Sequence, residues 1–172
     1  MNISHITEAE YLVFYSTYIK AVPGINLLEG LLEGKNRFLE LIRPVSSEKL
    51  HETYALGKWT LAEVVLHCID TERIFQYRLL RIARNDKSDL PGFSQDDYVP
   101  YSDADKRIKE SLLHEYTIVR DSTIQLISNI SDENLKHIGT IDGNLMSARA
   151  LGFIICGHQY HHEMIIKDRY LK

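Results

Sequence analysis

The stretch that decides the fold is SARALGFIICGHQYHHEMIIKDRY, Ser147 to Tyr170. It reads as one amphipathic helix opened by Ser147, whose hydroxyl suits an N-cap. At ~100° per residue, Leu151, Ile155, His158, His162, Ile165 and Arg169 fall on one narrow stripe. Two imidazoles thus occupy positions where a helical core expects Leu or Val. At i and i+4 they lie one turn apart and can converge on one ion, the spacing by which helical metal motifs use two histidines. The plainer alternative is a pair of hydrogen-bonded core histidines, each of which needs partners for both ring nitrogens. His161 lies ~60–100° off the stripe and points to a flank, as an outer support, a substrate contact or a solvated side chain.

Three further helical segments precede this one. The first spans about Ile25 to Leu41 after a Pro23-Gly24 break, with Leu27, Leu28, Leu31, Leu32, Phe38, Leu39 and Ile42 in helical repeat and Pro44 closing it. The second starts at the capping-box pattern Thr60-x-x-Glu63 and carries Leu61, Val65, Cys68, Phe75, Leu79 and Ile82 inward, ending near Asn85. The third runs from about Asp103 to Ile130, with Ile108, Leu112, Val119, Leu126 and Ile130 inward. A short N-terminal helix is expected over Thr7 to Ile19, opened by Thr7-x-x-Glu10. The connection from Asp86 to Ser102 is long for an unstructured loop, and such loops are often functional or packed across a domain end. Gly139 to Asn144 suggests a tight, hairpin-like turn. No strand series competes, so the predicted class is all-α, a four-helix bundle forming one domain over residues 1–172.

Other chemistry-bearing residues interrupt the apolar pattern. His67, on the second helix, is the candidate third ligand, although it lies ~100° or more from the centre of that helix's apolar stripe. His5, His51, His114 and His137 lie near segment ends or in polar surroundings. Glu72 and Glu115 fall within inward stripes and are weak candidates for proton transfer or ligation. Pairing with Arg78 or Arg120 is the favoured explanation, because buried carboxylates are rare unless paired or ligating. A carboxylate could instead support a ligating imidazole, and Asp70 is placed to do so for His67. Cys68 and Cys156 lie in apolar runs and read as buried free thiols without an activating context.

Composition narrows the function classes. The formal net charge is -4 with no basic run, which argues against a nucleic-acid partner. No stretch approaches a membrane span, and Met1 to Glu10 lacks the basic start of a secretory signal, so a cytoplasmic location is expected.

The run Gly57-Lys58-Trp59-Thr60, then His67-Cys68-Ile69-Asp70-Thr71-Glu72-Arg73, resembles the second-helix signature of the DinB-like (YfiT-like) metalloenzyme superfamily. Arg78 to Asp86, Leu90-Pro91-Gly92-Phe93 and Gly157-His158-Gln159-Tyr160-His161-His162 resemble the same family, so the likeness extends from about Tyr15 to Leu171. It implies an up-down-down-up bundle, often a homodimer, with a zinc or nickel ion on one histidine of the second helix and two of the fourth: His67, His158 and His162. It also implies a divalent-metal-dependent enzyme acting on a small molecule, either a hydrolase or a thiol-dependent S-transferase with a low-molecular-weight thiol cosubstrate. Three neutral ligands would leave the ion free to bind hydroxide or thiolate, and Arg78, Arg81 or Arg84 could meet carboxylates on such a thiol. Phe153, Tyr160 and Met164 give the fourth helix a second apolar face for the dimer, unless the N-terminal segment or the long loop covers it. The contrasting class is a non-enzymatic metal-binding protein, structural or stress-related.

Overall fold

The computed structural model describes residues 1–2, 6–22 and 26–172. The Pro23-Gly24 break, the start at Ile25 and His5 lie outside the described residues. The helices are α1 (Ser16–Ala21), α2 (Leu27–Ile42), α3 (Ser47–Leu50), α4 (Leu61–Ala83), α5 (Gln95–Tyr98), α6 (Lys109–Ser128), α7 (Asp132–Leu135) and α8 (Ala148–Ile165); α8 continues as a π turn over Ile166–Tyr170. Three short strands, β1 (Asp89–Leu90), β2 (Ile138–Ile141) and β3 (Asn144–Ser147), form a small sheet.

Local chemistry sets the boundaries. Thr60 and Glu63 cap α4 reciprocally, and Ser147 Oγ accepts from the Ala150 amide at 3.0 Å to start α8. Asn85, with φ 60°, turns the chain off α4. Glu10 does accept from Thr7, but only a 3₁₀ turn (Glu8–Glu10) follows, and the N-terminal helix is the shorter α1. The third long helix starts at Lys109 rather than Asp103, leaving Ile108 exposed at its N-cap, and Ile127 takes the core position expected of Leu126. Leu32 of α2 is exposed as well.

Helix directions follow from two apolar clusters. One gathers Leu27 and Leu31 of α2, Phe75 and Leu79 of α4, Ile127 of α6, and Leu151 and Ile155 of α8. The other gathers Phe38 and Ile42 of α2, Leu61 and Val65 of α4, Leu112 and Tyr116 of α6, and Ile166 just past α8. So α2 and α8 run from the first cluster to the second, while α4 and α6 run back: up-down-down-up. Because α4 and α6 are parallel, the chain between them must return along the bundle, ~30 Å for a helix the length of α6. This is the reason for the long connection, which carries β1 and α5 on its way.

The strands qualify the all-α expectation without changing the bundle. β2 and β3 form an antiparallel hairpin through Asp142 and Gly143, both at positive φ (51° and 73°), and β1 adds parallel to β2. Leu90, Ile141 and Met146 turn into the first cluster, so the sheet closes that end of the bundle.

Between the clusters the core is polar. His67, Thr71 and Glu72 of α4, Arg120 and Thr123 of α6, and His158, Gln159, His162 and Glu163 of α8 are all buried there. Arg120 donates to both oxygens of Glu72 at 2.8 Å and to the Leu31 carbonyl at 3.2 Å. Gln159 accepts from the Tyr116 hydroxyl at 2.7 Å and donates to the Gly34 carbonyl at 2.7 Å and to Glu163 at 2.6 Å. Gly34 leaves room for this layer, since a Cβ there would lie 3.2 Å from Gln159 Nε2.

The second face of α8 is covered only in part: Phe153 is buried, Tyr160 half-buried and Met164 exposed. α1 packs so closely that a Cβ on Gly157 would lie 2.0 Å from the Tyr18 carbonyl oxygen, and Phe153 is fully buried. Among the described residues, no helix is long and apolar enough to cross a membrane.

Candidate metal centre

His158 and His162 stand one turn apart on α8, and α4 packs against that face. His67 comes from α4, so the centre spans two helices that the bundle holds in register. His67 Nε2 lies 3.0 Å from His158 Nε2, and His162 Nε2 lies 3.2 Å from the same atom. The three rings offer ligand atoms that all lie within 4.8 Å of one another. A tetrahedral ion with bonds of about 2.0–2.1 Å would set neighbouring nitrogens ~3.3 Å apart, which the two separations from His158 match. His67, His158 and His162 are 6%, 7% and 9% exposed, so all three residues are buried.

Electrostatics keeps these rings neutral. Burial, the largest cause, lowers His67 to about 4 and His162 to about 3, the latter helped by neighbouring imidazoles. His158 is held well below the ordinary value by burial and by His162, His67 and His161. Neutral rings keep an unprotonated nitrogen available to a cation. Hydrogen bonds alone satisfy the cluster less completely, because His162 Nδ1 is buried with no partner among the described residues. On the outer side of His67, Nδ1 meets Thr71 Oγ1 at 3.3 Å. That support comes from Thr71, not Asp70, which pairs with Arg73.

Aromatic rings wall the cluster: Trp59 against His67 at 5.0 Å between centroids, and Tyr18 and Phe75 against His158 at 5.5 and 6.3 Å. A cavity of about 250 Å³ reaches His162 past Trp59, Tyr54 and Asp96. Another of about 270 Å³ reaches His158 past Tyr15, Tyr18, Thr71 and Phe93.

The weaker candidates fall elsewhere. Glu72 lies in the same polar layer, but both its oxygens are taken by Arg120 rather than Arg78. Glu115 is partly exposed and bridged by Arg73 at 2.6 Å and Arg107 at 2.5 Å. His161 is exposed on the flank, its ring 5.4 Å from that of Tyr18. Cys68 and Cys156 are free, buried thiols; burial pushes Cys68 well up and Cys156 to about 12, so neither is a ready nucleophile.

Sequence reasoning missed Thr71, Trp59, Tyr18 and Asp96. It also missed Gln159 and Glu163, which shadow the histidine pair at the next position each. Their signal was present, since a polar i,i+4 pair beside His158 and His162 widens the polar face just where the core should be apolar.

Fold and site together define a class, helical bundles of up-down-down-up order with a buried cluster of three histidines at mid-height. The chain belongs to the DinB superfamily, whose family model matches residues 31–166. It is 24% identical over 135 residues to a protein of Oceanobacillus iheyensis named a "putative metal-dependent hydrolase", covering 77% of this chain and 76% of that one. Its fold is similar to that of YfiT from Bacillus subtilis, described as "a probable metal-dependent hydrolase with an unusual four-helix bundle topology" (TM-score 0.73, 14% identity, 95% of this chain and 89% of that one). It is also similar in fold to a mycothiol-dependent maleylpyruvate isomerase (TM-score 0.65, 12% identity), of which it spans 60% while 81% of its own length is covered.

Proposed function

We propose that this chain is a metal-dependent enzyme acting on a small molecule, with one divalent ion, zinc or nickel, held by His67, His158 and His162. The observation that carries this reading is the meeting of three neutral, buried Nε2 atoms at 3.0 and 3.2 Å. Three ligands, rather than the four of a closed structural site, leave a position for a reacting group, which favours an enzyme over a structural metal protein. When bound, such an ion keeps its positive charge and supplies Lewis-acid activation of an oxygen or sulfur nucleophile.

The chain's own groups do the rest. Thr71 supports the ring of His67, while Trp59, Tyr18 and Phe75 pack against the histidines and wall the two cavities that reach them. Asp96 is the carboxylate that lines the His162 cavity, and it is placed to hold or pass a proton there. Glu72 is not free to do so, because Arg120 occupies it. Hydrolysis is the first reading, in keeping with the names of the Oceanobacillus and Bacillus relatives. Thiol-dependent transfer is the second, favoured by the two separate cavities, which suit a reaction with two organic partners.

Cobalt-substituted protein separates the two. Metal-dependent cleavage of an ester or amide, lost on chelation and restored by the ion, is the expected result for a hydrolase. Saturable sulfur-to-cobalt charge-transfer absorption with a low-molecular-weight thiol, together with turnover of an electrophile, would move the assignment to transfer. A cobalt site with no exchangeable position for water or thiol would contradict both.

A further inference from the structure

Of the three arginines near the end of α4, two are accounted for. Arg81 pairs with Asp86 and Tyr77, and Arg84 is exposed to solvent. Arg78 is different. It is 4% exposed, yet no carboxylate among the described residues forms an ion pair with it. Its Nη2 donates to the Pro91 carbonyl at 2.6 Å, and its guanidinium lies 5.6 and 5.3 Å from the ring centroids of Phe75 and Phe93. A buried charge without a paired acid is costly and rare. Asp142 shares its surroundings and attracts it, but Asp142 is exposed at the hairpin tip and makes no ion pair with it.

Position gives this arginine a use. It lines a cavity of about 170 Å³ with Tyr15, Phe93 and Asp142. Tyr15 and Phe93 also line the cavity that reaches His158, so the two spaces adjoin across those rings. Arg78 follows His67 by eleven residues on α4, which places it within ~20° of the same helix face and ~16 Å further along. Thr71 and Phe75 occupy the turns between, and both line the intervening cavity.

We propose that Arg78 anchors the carboxylate of an elongated small molecule whose other end reaches the three-histidine centre. The proposal rests on the metal reading for the reacting end but not for the anchoring end. A single planar guanidinium between flat aromatic walls matches one planar carboxylate through two parallel hydrogen bonds. A tetrahedral dianion would call for more donors than this cavity supplies. Tyr15 stays a neutral hydroxyl beside the site, because burial raises its pKa despite the attraction of Arg78.

The test compares ω-mercaptoalkanoates of increasing chain length with ω-mercaptoalkanols of the same lengths on cobalt-loaded protein, read by charge-transfer absorption. The carboxylates should bind the wild type more tightly than the alcohols only once the chain is long enough to reach Arg78. That preference should fall about ten- to hundredfold in Arg78→Met, the range for a lost charge-assisted bond, and recover partly in Arg78→Lys. Asp142→Asn should strengthen it. Equal binding of acid and alcohol at every length by the wild type, or a preference unchanged in Arg78→Met and Arg78→Lys, would overturn the anchor and leave the metal reading standing. Absence of the absorption with every thiol would count against the metal reading instead. The anchor is then read by calorimetry of long alkanoates against alkanols on the metal-free protein, where an Arg78-dependent preference supports it and none rejects it. Arg78→Lys keeps the charge and serves where Arg78→Met fails to fold.

Discussion

Glu72 and Arg120 form a doubly hydrogen-bonded pair at 4% and 1% side-chain exposure, in the same buried polar layer as Thr71 and the histidines. Burial opposes the charge of Arg120, but the adjacent carboxylate outweighs it and holds the guanidinium firmly protonated. Such a pair contributes little net stability compared with well-packed apolar residues, whereas removing one member strands the other. Glu72→Leu should therefore cost about 3–5 kcal/mol in denaturant unfolding, and adding Arg120→Met to it should return much of that loss. A double variant no more stable than Glu72→Leu would mean that the carboxylate has another task. The sequence showed Glu72 as a break in an apolar stripe and offered two arginines as partners. Arg78 shares α4 with Glu72 but stands six residues on, ~120° round the helix, whereas Arg120 comes from α6 and meets Glu72 only once the helices pack. Thr71 was passed over for a similar reason: a threonine on a core face is unremarkable until the ring nitrogen it supports has been placed.

At the scale of elements, the N-terminal segment matters most to the site, because it carries Tyr15 and Tyr18 over the histidines. It is tied to the start of α8 by Glu10, which accepts two hydrogen bonds from Arg149 at 2.5 and 2.6 Å. Burial pushes the Glu10 carboxyl upward, but Arg149 and the Thr7 amide more than offset this and hold it at about 2. A carboxylate with a lowered folded pKa stabilises the fold fully above its unfolded value, near 4.5, and loses that contribution as the pH falls toward 2. Hydrogen exchange over 13–21 should therefore quicken as the pH drops through this range, after correction for intrinsic exchange. Glu10→Gln should show the faster exchange already at neutral pH and little further acid dependence. Unchanged protection in Glu10→Gln would show that close packing at Gly157 alone holds the segment. The four long helices were legible because their apolar repeats extend over several turns and two begin with explicit capping signals. The strands were not, since two to four residues are too few to display alternation, and only the Asp142-Gly143 turn betrayed them. The start of the third long helix was misplaced because Ile108 continues the apolar rhythm while facing solvent.

The whole molecule is organised around its middle. Two apolar clusters flank a polar layer, and the packing of α4 against α8 is what brings His67 opposite His158 and His162. His158 and His162 could be read from one helix, because the pair violates its own stripe. His67 could not, since on its own helix it stands off the apolar centre; only the packing of α4 on α8, or resemblance to a family, makes it the third member. Metal content tests most directly whether these three side chains form one metal site. Protein prepared without a histidine tag should carry one tightly held divalent ion per chain. His158→Ala and His162→Ala should each abolish it and His67→Ala nearly so, because two remaining ligands hold an ion poorly, while His161→Ala should remain loaded. Folded wild-type protein that takes up no divalent metal even when it is supplied, or loss of the ion in His161→Ala with His162→Ala still loaded, would contradict the assignment.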